Sequence, residues 1–442
     1  MNKKIIKNCD LLSFTKGKAE VLTGQDILIE GDHIQAIGTS GSLEFEPDVE
    51  NIPADGLLAV PGFINTHAHV PMVLFRNLAE DVTPSVWFND YVWPMESNLT
   101  EEDVYWGAQL GMAEMIENGV TCVADHYFYM DEIARSIEES GMRANLAWAV
   151  FGHEGEEKVD QTVEFIKRWQ SKADGRITTW LGPHAPYTTS PEFLAMCAEK
   201  AAENKVGIHI HVSETVAQVK LSLEEFGITP VKLLQEAGVF EVPTILAHCV
   251  FPQEDDLDIL AAAETGVAVA PRTYMKHGTG LAPIDQYWER SIPFGLATDG
   301  AASNNTMDIM EQMRLMTLYS KYKTGDPTQM TMEQVVEIAF RSSAKVMHMD
   351  GKIGELKPGL LADITLLRQD GLHATPKANA LASLIYCLRA TDVDTVLCNG
   401  KVLMQGRQLL TLDKERIRKE VQSRLHRLSQ RVPGARIAYY PA

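Results

Sequence analysis

The sequence predicts an α/β protein: a (β/α)8 barrel of the TIM type flanked by β segments at both chain ends. Three observations lead there. The chain has 442 residues, too many for one small domain and suited to one large barrel with an accessory part. Eight short apolar runs alternate with helical stretches through its middle. Alternating segments with glycine turns stand near both ends.

From the N-terminus, residues near Ile5 to Ile37 read as short strands. Asp26–Glu30 alternates, Gly31-Asp32 turns and His33–Ile37 returns, which is a hairpin pattern. The eight runs follow: Leu57–Ile64, Thr121–Ala124, Ala144–Val150, Thr178–Leu181, Gly207–Ile210, Thr244–Ala247, Val267–Ala270 and Phe294–Ala297. Apolar throughout, they suit parallel strands buried on both faces. The helices between carry their own punctuation. Thr100 precedes Glu101-Glu102-Asp103, with Gly119 closing that helix. Ser190-Pro191 starts another, and Thr331 with Gln334 fits a capping box. Ala362–Leu367 and Thr395–Met404 return to strand character. Asp413 to Arg431 reads as an amphipathic helix docked on the body through Ile417, Val421, Leu425 and Leu428. A membrane-surface helix is the competing reading of its basic face.

Hydrophobic residues make up 45% and charged residues 23%, so collagen-like and wholly disordered readings are excluded. Asp and Glu number 60 against 40 Lys and Arg, a net charge of −20. Such a field repels a nucleic-acid backbone and an anionic membrane, so neither is an expected partner. The start of the chain lacks the apolar run of a signal peptide, and no stretch approaches the roughly 18 apolar residues of a membrane span. The 6 cysteines are scattered without a CxxC pair and read as free thiols of a cytoplasmic protein. A homo-oligomer is left open.

If the runs are barrel strands, their C-terminal ends form the active-site face. His67-Ala-His69 follows the first, the fifth carries His209-Ile-His211 and is followed by Glu214, and His248 and Asp299 stand at the ends of the sixth and the eighth. His67 and His69 are two apart on an extended segment, so both imidazoles point to one face. With His211 and Asp299 they make a metal site suited to Zn2+, with Fe2+, Mn2+ and Ni2+ as alternatives. His209 shares a face with His211 but lies deeper, in a supporting position. Glu214 stands where strand gives way to helix and can move a proton to a substrate over the metal; a helix N-terminal carboxylate is its plainer role.

In combination, Pro61–His69, His211-x-x-Glu214, Ala247-His248-Cys249, Thr298–Asn305 and Gly351–Asp363 resemble the amidohydrolase superfamily. Within it, the likeness is to the subgroup of methylthioadenosine/S-adenosylhomocysteine deaminases and triazine chlorohydrolases. The resemblance covers nearly the whole chain. It implies a distorted (β/α)8 barrel over 57–355 and a small β-sandwich from 1–56 and 356–442, the latter with the terminal helix. It also implies one metal on His67, His69, His211 and Asp299, with His248 orienting the attacking water and Glu214 serving the ring nitrogen. Binuclear relatives place a lysine at the end of strand four. Trp180–His184 has none, which favours a single divalent ion. A metal lowers the pKa of a bound water to about 7. Asp299 then accepts the water's proton, and ammonia leaves an aminated ring carbon.

The resemblance also implies substrate contacts. Pro94-Met-Glu96 matches a segment that holds ribose hydroxyls, His184 a substrate-contacting histidine, and Ser303 part of the Asp-Gly-Ala-Ala-Ser stretch. Trp148 falls where homocysteine-binding relatives have an arginine, and Lys158 near the place of a second. These departures favour methylthioadenosine or adenosine over S-adenosylhomocysteine. In Pro271–Lys276, Tyr274 replaces an asparagine and Arg272 adds a charge that could bind an anionic group. Trp87, Phe88 and Trp93 could wall an aromatic pocket. The leading expectation is thus a metal-dependent deaminase of an adenine-type nucleoside. The runner-up acts on a pterin, a guanine-like base or an s-triazine, and a non-catalytic scaffold is the third reading.

Overall fold

The computed structural model describes residues 3–15, 17–432, 435 and 437–440. Among these, nine parallel strands form one sheet. In chain order they are Phe63–His69, Val120–Tyr127, Arg143–Val150, Ile177–Pro183, Ile208–Val212, Thr244–His248, Thr265–Val269, Phe294–Leu296 and Asp299–Gly300. The last two are pieces of the eighth barrel strand. Phe294–Leu296 pairs with Thr265–Val269, and Asp299–Gly300 pairs with Ala68 and His69 of the first strand. The break at Ala297-Thr298 therefore lets one strand reach both ends of the sheet and close it into a distorted barrel.

Seven of the eight apolar runs fall on these strands. The first does not do so whole. Leu57–Pro61 pairs with Asp10-Leu11 and with Ile364–Arg368, in the other sheet, and only Phe63–His69 belongs to the barrel. The break is Gly62. A Cβ there would lie 2.1 Å from the Thr121 side chain, so only glycine lets the chain pass between the two sheets. An apolar run does not record which sheet its strands join.

That second sheet draws on both chain ends. Lys3–Thr15, Lys18–Glu30, His33–Thr39, Glu50–Pro53 and Leu57–Pro61 hydrogen-bond with Ile364–Arg368, Val393–Cys398, Lys401–Gln405 and Gln408–Leu409 in one mixed sheet. The expected hairpin pairs Glu30 with His33. Ile6, Ile27, Ile29, Ala59, Ile364 and Leu397 share its small core. A buried bidentate pair fastens it to the barrel: Arg143 Nε and Nη2 donate to Asp363 at 2.9 and 3.0 Å.

The caps form where the sequence places them. Thr100 and Asp103 close a capping box on Glu101–Glu117, Ser190 accepts from Phe193 N, and Thr331 pairs with Gln334. The terminal helix, Lys414–Leu428, buries Ile417 against Trp106 and Ala113. Its Arg427 and Arg424 engage Asp103 at 2.5 and 3.3 Å. Ile417 and Leu428 are buried on the body and Val421 packs beside them, whereas Leu425, expected in the same stripe, is exposed. No helix of the described residues is long and apolar enough to cross a membrane.

Candidate active site

The site stands at the C-terminal ends of the barrel strands. Asn65, His67 and His69 alternate inward along the first strand. The Asn65 amide bonds Thr298 twice: Nδ2 donates to Oγ1 at 2.7 Å and Oδ1 accepts from the backbone N at 3.0 Å. This ties the first strand to the eighth beside Asp299. Asp299 has φ +60 and His248 has φ +76, a left-handed conformation costing roughly 1–2 kcal/mol for a residue with a Cβ. Such strain is found where a fold must aim a side chain at its site.

Four side chains converge. His69 Nε2 lies 3.3 Å from His211 Nε2 and 3.4 Å from Asp299 Oδ1, and His67 Nε2 lies 3.6 Å from Asp299 Oδ1. The far sides of two rings fix their protons. His69 Nδ1 reaches the His126 carbonyl at 2.5 Å and His211 Nδ1 the His184 carbonyl at 2.8 Å. A carbonyl only accepts, so each Nδ1 carries the proton and each Nε2 presents a lone pair. His67 Nδ1 meets His209 Nε2 at 2.8 Å, and His67 Nε2 is buried without a hydrogen bond. Burial and neighbouring imidazoles push the pKa of His67 and His211 well below the usual range, and burial lowers that of His69. Neutral rings aiming lone pairs at one another repel unless a cation lies between them. Donors at about 2.0–2.1 Å from a tetrahedral ion stand about 3.3–3.4 Å apart, close to the spacing seen. The donor set therefore fits a divalent metal.

Glu214 faces this cluster. Its Oε1 lies 3.8 Å from His248 Nε2, and burial raises its pKa. His248 Nδ1 lies 3.3 Å from the buried Tyr274 hydroxyl. Ser303 Oγ is 2.8 Å from Asp299 Oδ2. Beside the cluster is a pocket that, with the solvent space at its mouth, encloses about 800 Å³. Trp87, Phe88, Trp93, Phe151 and Tyr187 wall it, and Glu96 and His184 line it. Glu96 Oε1 accepts from the Tyr127 hydroxyl at 2.6 Å, and burial pushes the Glu96 pKa up to about 8. Burial holds His184 neutral, with its pKa lowered to about 3.

The amidohydrolase family model matches residues 58–403, most of the chain. The chain belongs to the amidohydrolase family. Two amidohydrolase relatives named 5-methylthioadenosine/S-adenosylhomocysteine deaminase are similar along nearly their whole length. The one from Pelotomaculum thermopropionicum is 41% identical over 420 residues, covering 94% of this chain and 96% of its own. The one from Desulforamulus reducens is 38% identical over 432 residues, covering 97% and 100%. Among solved amidohydrolase structures, a zinc-bound adenosine deaminase from Xanthomonas campestris superposes with a TM-score of 0.92 at 25% identity, covering 96% of this chain and 98% of that one. A zinc-bound atrazine chlorohydrolase from Arthrobacter aurescens does so at 0.87 and 25%, covering 95% and 99%.

Three expected substrate contacts lie outside the pocket. Trp148 alternates with the pocket-lining Ala149, so its ring faces the outside of the barrel and packs edge-on against Phe165 at 5.5 Å. Lys158 Nζ sits 4.7 Å over that same ring. Arg272 pairs with Glu311 and donates to Thr306 at 3.2 Å, which leaves its charge already matched. Its neighbours Thr273, Tyr274 and His277 line the pocket instead. Sequence reasoning missed Asn65, Tyr127 and Gln218. Tyr127 had a signal, because it ends the second barrel strand, where a barrel keeps its functional side chains.

Proposed function

We propose that this amidohydrolase is a metal-dependent deaminase of an adenine-type nucleoside with a neutral 5′ end, methylthioadenosine or adenosine. One observation carries the reading. A single pocket holds two carboxyls of different surroundings, the partly exposed Glu214 beside the His/Asp cluster and the buried Glu96 beneath an aromatic wall. The first suits chemistry at an aminated ring and the second a ribose diol. The relatives' names support an adenine-type nucleoside, and the lack of any lysine or arginine among the described pocket-lining residues supports a neutral 5′ end. A homocysteine carboxylate finds no guanidinium there.

His67, His69, His211 and Asp299 would hold one divalent ion, with zinc favoured by the donor chemistry. When bound, such an ion supplies Lewis acidity that makes water nucleophilic near neutral pH. The chain's own residues do the rest. Asp299 turns Oδ1 to the cluster, which leaves Oδ2, steadied by Ser303, to take a proton. Burial raises the Glu214 pKa, which favours its taking up a proton, and Oε1 is placed to deliver one to the ring nitrogen. His248 orients the water and stabilises charge forming at the attacked carbon. The aromatic wall stacks the heterocycle and excludes water. Free cysteines throughout support a cytoplasmic setting.

The test is ammonia release by zinc-loaded protein from methylthioadenosine, adenosine, S-adenosylhomocysteine, guanine, pterins and aminotriazines. Turnover of the first two well above the rest is expected. Activity confined to a free base or a triazine would replace this reading with the runner-up.

A further inference from the structure

Glu214 is held by a side chain that the chemistry itself does not require. The helix after the fifth barrel strand, Val216–Phe226, starts at Thr215, and Gln218 lies in its first turn, four residues beyond Glu214. Gln218 is buried. Its Oε1 accepts from Glu214 N at 3.0 Å and its Nε2 donates to Glu214 Oε2 at 3.2 Å. That pairing fixes the amide's orientation, because a reversed amide would set N–H against N–H.

The remaining hydrogen on Nε2 points to Tyr440 Oη, 3.4 Å away. Tyr440 comes from the far end of the chain and is itself clamped. Asn89 Nδ2 donates to Tyr440 O at 3.0 Å, and Tyr440 N donates to Asn89 Oδ1 at 3.1 Å. The Tyr440 ring stacks on Phe88 of the pocket wall at 4.4 Å and 11°, and meets Tyr187 edge-on at 5.5 Å. The ring is buried, as a fixed part of the wall must be.

We infer that Gln218, clamped by Tyr440, is a positioning residue for Glu214. It ties down Oε2 so that Oε1, 3.8 Å from His248 Nε2, is the oxygen presented to the pocket. The terminal torsion of a glutamate is broad, so an untethered carboxyl samples many orientations. Proton transfer is fast only from the aligned ones. The inference rests on Glu214 being the proton carrier, as proposed above.

The experiment compares Gln218→Met in the parent and in the Glu214→Gln background, with metal content checked in every variant. In the parent, kcat falls about 10-fold while KM moves less than about 2-fold. In the Glu214→Gln background the same change costs less than about 2-fold, because there is no proton left to align. Parent-like kcat, or a full loss repeated in the Glu214→Gln background, overturns the inference. A crystal structure of the Gln218→Met holoenzyme reads the carboxyl without any substrate. Glu214 rotated or split between orientations is expected, and one unchanged orientation overturns the inference. If Gln218→Met does not fold, Tyr440→Phe removes only the clamp's hydroxyl. A kcat loss of about 3-fold that vanishes with Glu214→Gln is then expected, and an equal loss in both backgrounds overturns it. The two levels fail separately. Parent-like turnover by Glu214→Gln removes the proton-carrier reading and the positioning role with it. An impaired Glu214→Gln beside an unimpaired Gln218→Met removes the positioning role alone.

Discussion

Tyr127 holds Glu96: its hydroxyl donates to Glu96 Oε1 at 2.6 Å, inside the pocket and away from bulk water. Burial lifts the carboxyl from its ordinary 4.5 to about 8 despite that bond. The folded protein therefore keeps a proton on Glu96 that the unfolded chain releases between those values. The Glu96 contribution to stability therefore falls as pH rises from about 4.5 through about 8. Glu96→Gln removes the proton and the slope. The stability of the variant relative to the parent should climb across that window, by at most about 1.4 kcal/mol per pH unit. Thermal melts from pH 5 to 8 measure it, and a difference that stays flat would show that Glu96 titrates normally.

Glu96 also bears on substrate choice. Glu96→Ala should raise KM for nucleosides about 10-fold or more and leave KM for the free bases within about 2-fold. Steady-state kinetics on a nucleoside and its base decide this. Equal effects on both would take Glu96 out of ribose binding.

His209 reaches the cluster through His67, at 2.8 Å. Groups that orient a metal-binding imidazole are worth about 10–100-fold in metal affinity. His209→Ala should weaken metal retention against a chelator by that factor, while His67→Ala should abolish it. Metal analysis after chelator titration separates the two. Parent-like retention by His209→Ala would contradict the supporting role.

The barrel and its metal-competent residues were legible because barrel strands are apolar on both faces and end in the chemistry. His67, His69, His211 and Asp299 could be placed from strand ends alone, and the structure brings them together. Gly62 was harder, since an apolar run reads the same whether it feeds one sheet or two. Trp148 was expected at the site from the resemblance alone, and strand alternation instead turns its ring from the pocket to the outer helices. Gln218 and Tyr440 could not be paired at all. Their contact joins residues 222 positions apart, and no local pattern records it.

The corrected placement of Arg272 and Trp148 is itself open to test. Arg272→Ala breaks the pair with Glu311 and Trp148→Ala opens a gap beside Phe165. Both should lower thermal stability, by about 1–4 kcal/mol for the tryptophan and less for the partly exposed arginine. Both should leave KM for a nucleoside within about 2-fold. A KM rise of about 10-fold in either variant would return that residue to the substrate site.

Glu214→Gln should keep its metal and lose about 10²–10⁴-fold in kcat. Metal analysis paired with steady-state kinetics checks both halves. A parent-like rate would mean that another group carries the proton.

The most direct measurement is metal stoichiometry against turnover. Apo-protein is titrated with Zn2+ while deamination of methylthioadenosine is followed. Activity should rise in proportion to occupancy and saturate at one ion per chain, since His67, His69, His211 and Asp299 form one donor set. Full activity in metal-free protein, or saturation only at two ions per chain, would contradict a single-metal deaminase.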